Sequence, residues 1–133
     1  MASIDDGFEA LRDYDGCEFV FDCGYVARFR FRRTEDRVTD AWPHPYRYSL
    51  TLHDARNKRV LGFDNAHAVA ASGPVRKRRH RAADHWHAGP GDAGQAYRFE
   101  SPQALLGDFM KAVEEFLVRK GLATHVVDVR TTR

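Results

Sequence analysis

The chain has 133 residues, 43% hydrophobic and 30% charged, with a formal net charge of +2. That is enough for one hydrophobic core and too apolar for a disordered chain. No apolar run approaches the roughly 20 residues of a membrane span, and the acidic start at residues 1–6 lacks the apolar stretch of a secretory signal, so a cytoplasmic protein with no membrane partner is expected.

Cys17 and Cys23 form neither a disulfide framework nor a zinc-binding pair and read as small apolar strand residues. Acidic residues gather near the start, at Asp5, Asp6, Glu9, Asp13 and Asp15, and cations cluster at 28–33 and 76–81. Local basic patches on a near-neutral chain are compatible with a polyanionic partner and do not require one.

Phe8, Leu11 and Tyr14 are spaced for two turns of helix that stop near Gly16. From Cys17 to Phe31 the odd positions are apolar or nearly so (Cys17, Phe19, Phe21, Cys23, Tyr25, Ala27, Phe29, Phe31). Period-two alternation is a strand signal, but one strand of that length would run roughly 50 Å. A hairpin with the three-residue loop Asp22-Cys23-Gly24 resolves this. It pairs Phe21 with Tyr25 and Phe19 with Ala27, keeps the odd residues on one face, and puts Gly24 where a left-handed residue is needed. Arg28, Arg30 and Arg32 then share the polar face, read first as a solvated surface.

Prolines at 43 and 45 exclude a helix from the connection over 34–45. Tyr46 to His53 alternates with its apolar set on even positions, and the turn-rich Asp54 to Lys58 leads into Arg59 to Asn65, a second hairpin. Residues 68–83 lack apolar periodicity, contain Gly73-Pro74 and are dense in Arg and Lys, which predicts a flexible basic loop. Residues 88–96 read as a connector and Tyr97 to Glu100 as a short final strand. Ser101 is a suitable N-cap and Pro102 a suitable first helical residue. Leu105, Leu106, Phe109, Met110, Val113, Phe116 and Leu117 form one apolar stripe, ended by Lys120-Gly121. The tail from Ala123, with Val126, Val127 and Val129, either adds an edge strand or dangles. The expectation is one α+β domain over 1–133: an antiparallel sheet of four to five strands against a long C-terminal helix, with a short N-terminal helix. Both apolar faces suffice for a monomer, and the sequence leaves the oligomeric state open.

Chemistry concentrates between Leu61 and His87. His85 and His87 are two residues apart, so on an extended chain their imidazoles point to one side. Such a pair can serve as acid and base or bind a metal. Asp64, Asp84 and Asn65 are candidates to orient them, and Tyr97 is a candidate proton donor. Metal-independent RNA cleavage needs a base for the 2′-OH, an acid for the 5′-oxygen and a cation at the phosphate. His85, His87 and Arg81 or Arg79 match those roles. Arg76, Lys77, Arg78, Arg79 and Arg81 would hold the backbone. No cofactor is required in this scheme. Two other readings stay open. One is a zinc or manganese site that takes His85 and His87 with His67 or Asp64; the other is a purely structural role for Asp84-His85-Trp86-His87.

Five short motifs in order carry a family resemblance. They are Tyr46-x-Tyr48-x-Leu50, Leu61-Gly62-Phe63-Asp64-Asn65, Asp84-His85-x-His87, Tyr97-x-Phe99-x-Ser101 and Leu105-Leu106-x-Asp108-Phe109. Over residues 46–117 the chain resembles the TumE toxins of prokaryotic toxin–antitoxin modules. The resemblance implies a small cytoplasmic toxin neutralised by a helix-turn-helix antitoxin, and it supplies no reaction. The arginine run at 76–81 departs from the relatives, whose segment there is short and contains glycine. An RNA-directed toxin is the expected function, with a non-enzymatic module that binds nucleic acid or protein as the alternative.

Overall fold

The computed structural model describes residues 8–33, 45–65, 84–87 and 95–131. In chain order these form α1 (Phe8–Tyr14), β1 (Cys17–Phe21), β2 (Val26–Arg33), β3 (Tyr46–His53), β4 (Arg59–Asp64), β5 (His85–His87), β6 (Gln95–Ala96), α2 (Pro102–Arg119) and β7 (Val126–Thr131). The strands make one antiparallel sheet in the order β6-β5-β4-β3-β2-β1-β7. Among the described residues no helix is long and apolar enough to cross a membrane.

The first hairpin has the expected register: Phe19 lies opposite Ala27, the Phe21 N–H donates to the Tyr25 carbonyl at 2.8 Å, and Gly24 has φ 88°. Phe21, Ala27, Phe29 and Phe31 are buried as a result. The second hairpin pairs Leu52 with Leu61 and Leu50 with Phe63, so the even residues of β3 meet the odd residues of β4 on the same side. Its turn is set by Asp54, whose Oδ1 accepts from the N–H groups of Arg56 and Lys58.

Both described helices lie on this apolar face. In α2, Leu105, Phe109, Val113, Phe116 and Leu117 are buried, whereas Leu106 and Met110 are partly exposed at the margin of the stripe. Phe109 sits edge-on to Phe29 of β2 and Phe63 of β4, with centroids 5.5 and 6.0 Å away, which lays the helix across the centre of the sheet. Ser101 caps α2 by accepting from the Ala104 N–H at 3.0 Å. At the other end Gly121 (φ 70°) closes a Schellman motif, with Leu122 N–H on the Leu117 carbonyl and Gly121 N–H on that of Val118. From α1, Leu11 is fully buried and Tyr14 packs on Phe19 and Phe29.

Two expectations need correction. The sheet has seven strands where four to five were expected, because two short edge pieces and the tail also pair. The short strand before α2 is Gln95–Ala96, taken from the stretch read as a connector, and residues 97–100 are not a strand. Tyr97 packs edge-on to Phe63, and Phe99 stacks on Tyr48 and contacts Tyr46. Tyr97 still gives its N–H to the Asp84 carbonyl at 2.9 Å, and the two rings lie on the apolar face, so the alternation of 97 and 99 serves that face. The tail forms β7 beside β1. The basic loop expected at 68–83 lies outside the described residues.

A buried polar joint fixes the end of the sheet. The Asn65 side chain extends the β3–β4 ladder: its Oδ1 accepts from Tyr48 N–H and its Nδ2 donates to the Tyr46 carbonyl, both at 2.8 Å. Tyr48 donates its hydroxyl to Asp84 Oδ1 at 2.5 Å, with both residues buried. Burial, reinforced by the Asp84 carboxylate, holds the Tyr48 phenol protonated far above its ordinary range.

Phe109→Ala is expected to destabilise the protein by about 3–5 kcal/mol in urea unfolding, and Val118→Ala, on the exposed face of α2, by less than about 0.5 kcal/mol. Tyr48→Phe removes a donor from a buried carboxylate and should cost about 1–3 kcal/mol at neutral pH. The folded-state pKa of Tyr48 is raised, so the native protein keeps a proton that the unfolded chain releases above about pH 10, and stability falls as pH rises beyond that point. Unfolding midpoints measured from pH 9 upward should show a shallower fall in Tyr48→Phe than in the parent.

Candidate functional site

Strand alternation decides which residues meet. Trp86 lies opposite Phe63 and stacks on it on the helix side, so its neighbours His85 and His87 point to the opposite face. His85 lies opposite Asp64, and His87 opposite Gly62. Gly62 offers no side chain, and the His87 ring reaches diagonally to Asp64, with Nε2 at 3.0 Å from Oδ2. A Cβ at Gly62 would come within 3.3 Å of Thr51 and Arg59 side-chain atoms, so a substitution there disturbs the floor of this corner. The two imidazole centroids are 6.4 Å apart. His85 is 5% exposed, while the side chains of His87 and Asp64 keep 12% and 24%. In a neutral His87 the contact to Asp64 places the proton on Nε2 and the lone pair on Nδ1.

The register carries this corner into a polar surface. One row across the sheet runs His85, Asp64, Ser49, Arg30, and the next runs His87, Gly62, Thr51, Arg28, Glu18. Arg28 Nε donates to Glu18 Oε2 at 2.7 Å, while Arg30 and Arg32 are exposed. Among the described residues no helix packs on this face. Arg30, Arg32, Arg47 and Ser49, with Asp15, line a surface cleft of about 360 Å³ beside the Asp64 row. His53 stands further along β3 on the same face, with Nε2 2.9 Å from Thr51 Oγ1. Burial, then the Arg28 cation, push its pKa below the ordinary histidine value.

Asp64, His85 and His87 are therefore brought together on one face. Asp84, Asn65 and Tyr97 are not in that group. Asp84 is held by Tyr48 and Asn65 by the backbone of β3, so neither orients a histidine through these bonds. Tyr97 is on the helix side, donating its hydroxyl to Asp108 of α2 at 2.6 Å; burial, then that hydrogen bond, raise its pKa. Among the described residues no group of three or more His, Cys, Asp or Glu has the arrangement to hold a metal ion. His67, the third residue of the metal reading, and Arg76, Lys77, Arg78, Arg79 and Arg81 lie outside the described residues.

Sequence reasoning left Ser49, Arg30, Arg32 and Arg47 out of the site. The second hairpin's register, which places Phe63 on Leu50, also places Asp64 on Ser49, and that much was readable; Arg30 joins the row through the β2–β3 pairing across the connection over 34–45, which no local pattern fixes.

The family model described as Toxin TumE matches residues 8–117. The match takes in α1 and the first hairpin, beyond the span 46–117 that carried the resemblance. No curated protein and no solved structure matches the chain. With the match spanning most of the chain, the protein belongs to the TumE toxin family, and as the toxin component of a toxin–antitoxin module it has an antitoxin as its implied partner.

Proposed function

We propose that the toxin acts on RNA in the cytoplasm as a metal-independent endoribonuclease, with the sheet face around Asp64, His85 and His87 as its active site. The observation that carries this reading is the Asp64–His87 contact at 3.0 Å with the second imidazole beside it, on a face lined with arginines. A carboxylate–imidazole pair fixes the tautomer of a general base. His87 takes the 2′-hydroxyl proton, the 2′-oxygen forms a bond to phosphorus, and the bond from phosphorus to the 5′-oxygen breaks. His85 supplies the proton to that leaving oxygen, which leaves a 2′,3′-cyclic phosphate and a 5′-hydroxyl end. Arg30 is two strands from Asp64, about 10 Å, and with Arg32 is placed to neutralise the phosphate and its neighbours along the strand. The run Arg76, Lys77, Arg78, Arg79 and Arg81 is assigned further backbone contacts from its charge alone. A helix-turn-helix antitoxin is proposed as the neutralising partner, as the resemblance implies.

Expression in a host without the antitoxin, with 5′ ends of total RNA mapped by primer extension, tests the reading. Growth arrest with new 5′ ends is expected from the parent. His87→Ala and His85→Ala should each lower the cleavage rate of the purified protein by about 10²–10⁴-fold with unfolding midpoints retained, and a chelator should leave the parent rate unchanged. Arrest that survives both substitutions but is lost in Arg30→Glu with Arg32→Glu would replace catalysis by simple binding. Activity abolished by chelator and restored by one divalent ion would replace it by a metal mechanism.

A further inference from the structure

Strand β7 ends the sheet, and all six of its residues are exposed, Val126, Val127 and Val129 at 41%, 60% and 56%. An apolar edge strand is an open template for another strand, and edges are usually blunted by charge, proline or covering chain. A bulge near Val20 and Phe21 interrupts the pairing with β1 at the start of β7, and beyond it Asp128 to Thr131 pair with β1 in unbroken register.

Backbone direction follows from the first hairpin. Phe21 gives its N–H to Tyr25, so the odd residues of β1 bond to β2, and Glu18 and Val20 turn their N–H and C=O groups to β7. Their partners Arg130 and Asp128 therefore bond inward. Val129 and Thr131 present their backbone groups outward, while Val127 is the residue that the bulge leaves without a partner on β1.

We infer that β7 is a self-complementary edge that pairs antiparallel with β7 of a second copy of this chain, the two-fold axis passing through Val129. Registers that set outward residues against outward residues place the axis on a residue, and charge then selects among them. An axis at Asp128 sets that carboxylate against itself, and an axis at Arg130 sets two guanidinium groups together. The axis at Val129 sets Val129 on Val129, and Asp128 on Arg130 twice. Like charges directly opposite destabilise a pair and opposite charges support it. Within one chain Arg130 Nε already lies 3.4 Å from Asp128 Oδ2, on the same face as Glu18 and Arg28. The dimer extends this to a row of alternating sign: Arg28, Glu18, Arg130, then the second copy's Asp128. On the opposite face Val129 borders an open groove of about 480 Å³ lined by Asp13, Tyr14, Cys17 and Phe19, which continues across the axis. The paired stretch is short and the interface small, so the association belongs in the micromolar range. It does not depend on the ribonuclease reading.

Sedimentation equilibrium over about 1 µM to about 1 mM tests it, with the full-length protein. The weight-average mass should climb from 15.2 kDa towards twice that value. Asp128→Arg and Arg130→Asp alone should each weaken association at least about tenfold, and the charge-swapped double variant should regain it, since only the swap restores the opposed pair. Val129→Cys should oxidise to a dimer whose 129–129 disulfide appears on peptide mapping. A chain that stays at 15.2 kDa throughout, or a dimer insensitive to the single reversals, overturns the proposal. So does antitoxin-dependent protection of the amides of 129 and 131 in a chain that is monomeric alone.

Discussion

The site depends on the register of β4 against β5. Side chains on a strand alternate with period two, so a slip of one residue exchanges the whole of one face for the other. Here Phe63 meets Trp86, both rings go under the helices, and Asp64, His85 and His87 are sent to the far face together. Five residues of pairing would hold such a register poorly by ladder bonds alone, since β5 has three residues and β6 two. Tyr48 and Asp84 supply what the short ladder lacks. Their buried hydrogen bond lies one residue before His85, on the core side, and any slip would break it and strand a carboxylate in apolar surroundings.

The core and the candidate site follow from the same alternation. On the helix side the odd residues of β1, β2 and β4 meet the even residues of β3, and Phe109 closes over Phe29 and Phe63. Those apolar residues bring the polar ones with them: once Leu50 is fixed against Phe29 and Phe63, Ser49 must lie between Arg30 and Asp64. The arginines read from sequence as a solvated face thus share a surface with the histidines, and core packing set that surface.

The sequence made legible what local periodicity and local bonding control. The Gly24 hairpin, the Ser101 cap, the α2 stripe and the shared face of His85 and His87 depend on neighbours a few residues apart. The number of strands depended on long-range pairing. Gln95 and Ala96 pair only because β5 offers an edge there, and nothing in Ala88 to Ala96 alternates. Tyr97 and Phe99 do alternate, yet their partners are the rings of Phe63, Tyr46 and Tyr48, which no period could reveal. Asp84 lies apart from the two histidines because a residue next to one in sequence points to the other side of a strand, and Tyr97 because its partners are Phe63 and Asp108 on the helix side.

That separation narrows what the motifs mean. Of the polar residues that carry the family resemblance, Tyr48 and Asp84 bond each other, Asn65 bonds the β3 backbone, Tyr97 bonds Asp108, and Ser101 caps α2. Each has a structural task that accounts for its chemistry. Asp64, His85 and His87 stand apart from these, on the other face of the sheet. The sheet end is pinned by the Tyr48–Asp84 bond on the core side, and the contact between Asp64 and His87 adds little to that. Among the described residues these three lie on the face that no helix covers, so they are the part of the motif set on which the proposed activity rests.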